Sequence, residues 1–315
     1  MAFGASSTAE EIVGGRDLSG KVVVVTGSSA GLGQETARVF AKAGATVVMA
    51  ARNIEKNGRA ADAIRTQVPN AKLELVTFDL ADLGSVRRAA AEILTKHRKI
   101  DILINNAGFV GGPLAHTAEG CELHFGANHI GPFLLTNLLM PAVIAAAPSR
   151  VVILSSNGHR MADVDFEDPY FARRDYSHWT AYSQSKRANV HHAVALANRV
   201  GKLGVTVNAV HPGVIVTEVF RDVTPDEKNM VTGFSEAGGS PVKSIAQGAA
   251  TQVWAALAAE LEGKGGLYLE DCQVGKPDTA PMSATGLMPA ALDPATAEKL
   301  WTFSEQVVGQ KFAFG

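Results

Sequence analysis

The chain of 315 residues is poor in cysteine, in aromatic residues and in charge. Its two cysteines, Cys121 and Cys272, cannot build a multi-bridge disulfide framework, and their spacing offers no zinc site. They read as small buried side chains in a reducing compartment, so the expected location is cytoplasmic. Charged residues make up 19%, and 29 basic against 31 acidic side chains leave a net charge of −2. That balance excludes binding of nucleic acid or anionic lipid by bulk positive charge. No internal repeat or low-complexity linker divides the chain. Met1–Gly20 carries three acids and no apolar core, so it does not read as a secretory signal. One uncharged run, Ile130–Pro148, is long enough to span a bilayer. Pro132, Asn137, Pro141 and Pro148 interrupt it, and it reads as a buried, proline-ended helix rather than a membrane span.

What is abundant is apolar material, 46% of residues, and glycine, 31 of them concentrated in turns. Seven short runs have almost wholly apolar interiors: Lys21–Thr26, Ala45–Ala50, Leu73–Phe78, Asp101–Asn105, Arg150–Ser155, Val205–Val210 and Gly266–Leu269. Strands buried on both faces, as in parallel sheets, read this way. Between them, Gly33–Ala43, Glu55–Val68, Leu83–His97, Glu119–Met140, Tyr182–Gly201 and Ser244–Leu261 repeat their apolar residues at helical spacing. The order predicts an α/β fold, a Rossmann-type doubly wound parallel sheet of about seven strands with helices on both faces. Ligands in such a sheet bind at the carboxyl ends of the strands, which directs attention to the residues after each run.

After the first run comes Thr26-Gly27-Ser28-Ser29-Ala30-Gly31-Leu32-Gly33, then a helix. A glycine loop from strand to helix lets backbone N–H groups approach a pyrophosphate. Gly27 allows the tight turn, Gly31 the phosphate approach, and Gly33 the close packing of helix on strand. Gly27–Gly31 also matches G-x-S-x-G, which would make Ser29 the nucleophile of a serine hydrolase. A hydrolase needs strands and an oxyanion loop ahead of that elbow, and here only a polar tail precedes it. The second run ends Ala50-Ala51-Arg52. An acid at Ala51 would bind the ribose 2′-OH of NAD, whereas Arg52, with Lys56 a turn later, suits the 2′-phosphate of NADP. The expected cofactor is therefore NADP(H), with NAD(H) as the alternative.

Further along stand Phe78-Asp79-Leu80, Asn105-Asn106-Ala107-Gly108, Leu154-Ser155-Ser156-Asn157 and Tyr182-Ser183-Gln184-Ser185-Lys186. With the glycine loop, and in this order, they resemble the short-chain dehydrogenase/reductase family over about residues 20–275. Tyr182 and Lys186 are i and i+4, on one helix face. A phenol is a weak acid/base at neutral pH, and a neighbouring ammonium is expected to favour its ionised form. The resemblance implies that Tyr182 is the general acid/base, that Lys186 tunes it and holds the nicotinamide ribose, and that Ser156 binds the substrate oxygen. It implies that Asn128 supports a water-mediated proton relay. It assigns Asp79 and Leu80 to the adenine contact, Asn106, Ala107 and Gly108 to the adenosine-side wall, and Pro212, Gly213, Ile215 and Thr217 to the nicotinamide stretch. Leu32 belongs to the phosphate loop. No metal is required. The implied activity is hydride transfer between nicotinamide and an alcohol or carbonyl. A cofactor-binding sensor without turnover is the non-enzymatic alternative. Helices 119–140 and 182–201 are expected to pair two subunits, as in many relatives.

Residues 25 in number, Asn157–Ala181, separate Ser156 from Tyr182, more than in compact members of that family. The stretch 163–179 and the C-terminal Glu298–Trp301 resemble the retinol-dehydrogenase-like and WW-domain-oxidoreductase-like branch, which implies an apolar substrate. One domain over 1–315 is expected, with a tail at 1–19, an insertion at 163–179, a mobile substrate lid at 214–240 and an extension at 276–315. His124, His129, His191 and His192 are badly spaced for a metal. His159-Arg160 reads as surface loop and Trp179 as wall packing.

Overall fold

A computed structural model describes residues 3–280 and 283–314. The strands are β1 (Val22–Thr26), β2 (Thr46–Ala51), β3 (Lys72–Thr77), β4 (Ile102–Asn105), β5 (Ser149–Leu154), β6 (Val205–His211), β7 (Tyr268–Glu270) and β8 (Gln273–Val274). They form one sheet in the order β3-β2-β1-β4-β5-β6-β7-β8. All pairings are parallel except β7 with β8. The eighth strand adds to the expected seven. It is two residues long, too short for alternation to show in sequence. The strand order reverses between β1 and β4, which opens a crevice at their carboxyl ends.

The helices are α1 (Ala9–Val13), α2 (Gly31–Lys42), α3 (Ile54–Gln67), α4 (Leu83–Lys96), α5 (Leu123–Phe125), α6 (Gly131–Ala145), α7 (His178–Val200), α8 (Pro225–Ala237), α9 (Ile245–Gly248), α10 (Ala250–Leu257) and α11 (Pro294–Val308). Side chains alternate across each strand, so Val23 and Val25 of β1 join a core with α1, α2, α3 and α10. Val24 faces the opposite core, built with α4, α6, α7 and α11. Helix starts are set locally. Asn53 and Asp82 cap α3 and α4, and Thr224 with Glu227 makes a capping box ahead of Pro225.

Three expectations need correction. The polar tail contains α1, whose Ala9, Ile12 and Val13 are buried against the α2–α10 side. The run Ile130–Pro148 does not end at its first prolines. Helix α6 passes through Pro141 to Ala145, with Pro141 on the exposed side, where a missing N–H costs least. The helix over Leu123–Ala145 is long and apolar enough to cross a membrane, and most of it is buried within this fold. His159-Arg160 is no surface loop, because both side chains are buried. Residues 183–196 of α7 are buried on every face and α11 packs along that helix within the same chain. Residues 131–137 of α6 are buried likewise.

Candidate active site

At the carboxyl ends of the strands lies a cavity of about 600 Å³. Every residue named from the sequence as catalytic or cofactor-binding lines it except Gly33, which lies behind the wall. A Cβ on Gly33 would sit 2.3 Å from the Gly27 carbonyl oxygen, so only glycine lets α2 pack this closely on the turn. Gly27 has φ +69° and Gly31 φ +56°, a backbone region open chiefly to glycine. A side chain on Gly27 would strike Ala107 Cα at 2.8 Å. Thr217 lies against Gly31, at 3.4 Å from where a Cβ would be.

The loop is held by a buried latch that includes Ser28 and Asn57, which sequence patterns did not single out. Ser28, fully buried, hydrogen-bonds Asn57 Oδ1 at 3.0 Å, and Asn57 Nδ2 donates to the Met49 carbonyl at 2.8 Å. Asn106 Nδ2 donates to the Thr26 carbonyl at 2.9 Å, tying the β4 turn to the β1 turn. Thr26 Oγ1 accepts from Ala107 N–H at 3.0 Å. Gly131 lets the Leu80 backbone come close, since a Cβ there would meet Leu80 O at 2.3 Å. Leu32 and Ile215 meet over Gly248, where a Cβ would lie 2.7 Å and 2.5 Å from them.

Asn128 sits in a π-helical turn, Gly126–Ile130, between α5 and α6. Such turns are frequent at functional sites. Asn128 Nδ2 donates to the Phe109 carbonyl at 3.0 Å and to Ser185 Oγ at 3.1 Å, and Oδ1 accepts from Phe109 N–H at 3.1 Å. The space beside Gly108 is flanked by both Lys186 Nζ and Asn128 Oδ1. Lys186 is buried, its Nζ 3.3 Å from the Leu154 carbonyl and 5.5 Å from the centre of the Tyr182 ring. Tyr182 lies one turn inside α7, which starts at His178.

The two serines divide their labour. Ser155 is buried and donates to the Lys186 carbonyl at 2.8 Å. Ser156 is half-buried, faces the cavity and accepts from Gly158 N–H at 3.1 Å. Burial pushes the Lys186 ammonium down to about 8. Burial also pushes the Tyr182 phenol up, while hydrogen bonding with Ser156 pulls it down. Desolvation is the larger of the two effects, so the net direction for the phenol is upward.

The opposite end is the ribose end. Ala51, Arg52, Asn53 and Lys56 line it, and it presents no acid at Ala51. Lys56 pairs with Glu218, whereas Arg52 has no carboxylate partner within 4.0 Å among the described residues. Ser29 has no histidine partner, since the hydrogen-bonded histidines among the described residues engage other groups. That removes the base a serine hydrolase needs. Trp179 is wall, with its indole N–H on Glu227 at 3.0 Å. Arg160 also lines the cavity and donates to the Ala280 carbonyl at 2.6 Å.

The positive-φ glycines, the buried latch around them and Arg52 fit a nicotinamide dinucleotide. Comparison with known proteins agrees. The short chain dehydrogenase family model matches residues 21–228. The chain is 39% identical to retinol dehydrogenase 12 of Homo sapiens over 93% of this chain and 87% of that one. It is 37% identical to the WW domain-containing oxidoreductase of Pongo abelii, over 98% and 73%. A solved protein from Mycobacterium paratuberculosis superposes with a TM-score of 0.73 at 31% identity, covering 96% of this chain and 98% of the other. A Beutenbergia cavernae structure described as an NAD(P)-dependent gluconate 5-dehydrogenase, with NADP bound, superposes with a TM-score of 0.66 at 27% identity, over 82% and 98%. The chain belongs to the short-chain dehydrogenase/reductase family, in its retinol-dehydrogenase-like branch, and is an NAD(P)-dependent oxidoreductase acting on CH–OH or C=O groups.

Proposed function

We propose that the chain is an NADP(H)-preferring reductase or dehydrogenase of apolar carbonyls and alcohols, with Tyr182 as its general acid/base. The observation that carries this reading is one cavity with Ser156, Tyr182, Lys186 and Asn128 at one end and the glycine loop with Arg52 at the other. Gly31 and the α2 N-terminus would hold the pyrophosphate, Arg52 the 2′-phosphate, Lys186 the nicotinamide ribose, and Ile215 and Thr217 the nicotinamide side. The dinucleotide, when bound, supplies the hydride chemistry. Ser156 donates a hydrogen bond to the substrate oxygen and steadies charge developing there. Tyr182, held protonated by burial, delivers the proton to that oxygen in reduction and recovers it in oxidation. Lys186 places positive charge beside the phenolate that results. Asn128 fixes Phe109 and Ser185, keeping the wall opposite Lys186 in place.

The substrate end supports an apolar ligand. Phe109, Val110, Met161, Trp179, Met230 and Phe234 line it. The relatives named for retinol point the same way, because retinol is an apolar alcohol. All four catalytic side chains are present and assembled, which leaves the turnover-free sensor without support.

The test is a panel of aldehydes, ketones and retinoids followed at the nicotinamide absorbance band. Tyr182→Phe is expected to lower kcat by about 100-fold or more with NADPH affinity retained. Arg52→Ala is expected to bring NADPH and NADH affinities together. Wild-type turnover in the first variant, or an unchanged cofactor ratio in the second, refutes the corresponding half of the reading.

A further inference from the structure

The segment following Thr217 crosses the cofactor groove as a roof. On the β4 side it is fixed by backbone: Val110 N–H donates to the Val219 carbonyl at 3.3 Å, and Gly111 bridges to Asp222. The approach is so close that a Cβ on Gly111 would lie 2.4 Å from Asp222 O. On the other side the tie is purely ionic. Lys56 Nζ of α3 pairs with Glu218, a residue 162 positions away. Both partners line the cavity at the end that also presents Arg52.

We infer that Glu218 is a selectivity determinant that opposes the phosphorylated cofactor by occupying Lys56. The inference rests on the NADP(H) reading above. Arg52 and Lys56 are cations at the ribose end, Arg221 of the same segment is paired with Asp222, and Glu218 cancels Lys56. A 2′-phosphate and a carboxylate carry the same sign and compete for one ammonium. Lys56 with Glu218 sums to zero charge, and Lys56 alone is +1. The side chains are 35% and 54% exposed, so their mutual attraction is weak and salt-screened. A dianionic phosphate therefore displaces the carboxylate, at a cost that the 2′-hydroxyl of NADH never incurs. Removing the carboxylate acts on NADPH and spares NADH. Because the backbone ties at Val110 and Gly111 remain, the roof itself stays in place.

The test titrates wild type, Arg52→Ala, Glu218→Gln, Glu218→Ala and Lys56→Gln with NADPH and with NADH, at low and high salt. Both Glu218 variants are expected to bind NADPH about fivefold tighter, a gain that shrinks in high salt. NADH affinity is expected to change less than about twofold. In the Lys56→Gln background the Glu218→Gln gain is expected to vanish, as a double-mutant cycle requires when two side chains act through each other. Equal gains for both cofactors would make the ion pair a latch without selectivity and overturn the inference. Weaker NADPH binding would make Glu218 an aid to Lys56, and overturns it too, as does no change. If Arg52→Ala leaves the NADPH/NADH ratio untouched, the NADP(H) reading fails. If that ratio collapses and the Glu218 variants are silent, only the role of Glu218 fails.

Discussion

Ser155 and Ser156 are adjacent in sequence and opposite in duty, because successive side chains of extended backbone point to opposite sides. Ser155 turns inward and donates to the Lys186 carbonyl, and Ser156 turns to the cavity. Ser156→Ala is expected to cost about 100-fold in kcat with little change in Tm, since it removes a donor to the reacting oxygen and, structurally, only the half-buried acceptor of Gly158 N–H. Ser155→Ala is expected to lower stability by about 0.5–1.5 kcal/mol, the net worth of one buried hydrogen bond, since the Lys186 carbonyl keeps its helical donor. Thermal melts and steady-state kinetics on both variants decide it, and the reverse assignment of the two effects would transfer the substrate contact to Ser155. Glycines 27, 31 and 33 could be assigned from sequence because each needs a property no other residue has. Asn57 could not. It sits within α3 like any polar helix residue, and its hydrogen bonds to Ser28 and Met49 exist only after β2 folds back beside β1.

Strands and most helices are legible for a physical reason: burial on both faces demands unbroken apolar runs, and burial on one stripe demands helical spacing. Some misses are elements too short for either signal. Helix α1 has five residues, and its buried side is three of them, Ala9, Ile12 and Val13. The stretch 214–240, expected as a mobile lid with no helix assigned to it, contains the capped helix Pro225–Ala237. Its hydrophobic Met230 and Phe234 face the cavity rather than a core, so the usual pattern is diluted. The insertion at 163–179 has no helix or strand of its own before His178. It is held instead by Gln184, which accepts from Asp165 N–H at 3.0 Å and donates to the Pro169 carbonyl at 2.8 Å. Helix α1 offers a direct check. Ile12 is among the largest fully buried side chains, so Ile12→Ala is expected to cost about 2–4 kcal/mol, as in any packed core. A denaturant midpoint within error of wild type would mean that the N-terminal segment does not dock as described.

Near-neutral net charge hides a pH dependence stored in the interior. Burial holds His129, His159 and His211 down to about 3 and His191 down to about 4, and it holds His192 well below the ordinary value. The partners explain why they stay neutral. His211 Nδ1 accepts from Asn157 N–H at 3.2 Å. His159 Nδ1 lies 2.7 Å from the Ser156 carbonyl and can only donate there, leaving Nε2 to accept from Met288 N–H at 3.2 Å. In the unfolded chain these rings bind protons near pH 6.5. Between that value and about 4 the unfolded state holds more protons than the folded one, so stability falls as pH falls. Each ring contributes up to about 1.4 kcal/mol per pH unit in that window. Above pH 7 the effect is absent, because both states are neutral at these rings. The carboxylates held low, such as Asp168 and Asp293, add their own loss only at more acidic pH. Tm is therefore expected to fall only slightly from pH 8 to 7, where Lys186 finishes titrating, and to decline steadily from pH 6.5 to 5. His191→Asn, which touches no catalytic group, is expected to make that decline shallower. A Tm that stays level down to pH 5 would show that these rings are not buried neutral. Since His159 and His211 lie beside Ser156 and Asn157, enzyme held at acid pH without cofactor is expected to lose activity, assayed with cofactor at pH 7.5, and to recover it on return to that pH before aggregation sets in.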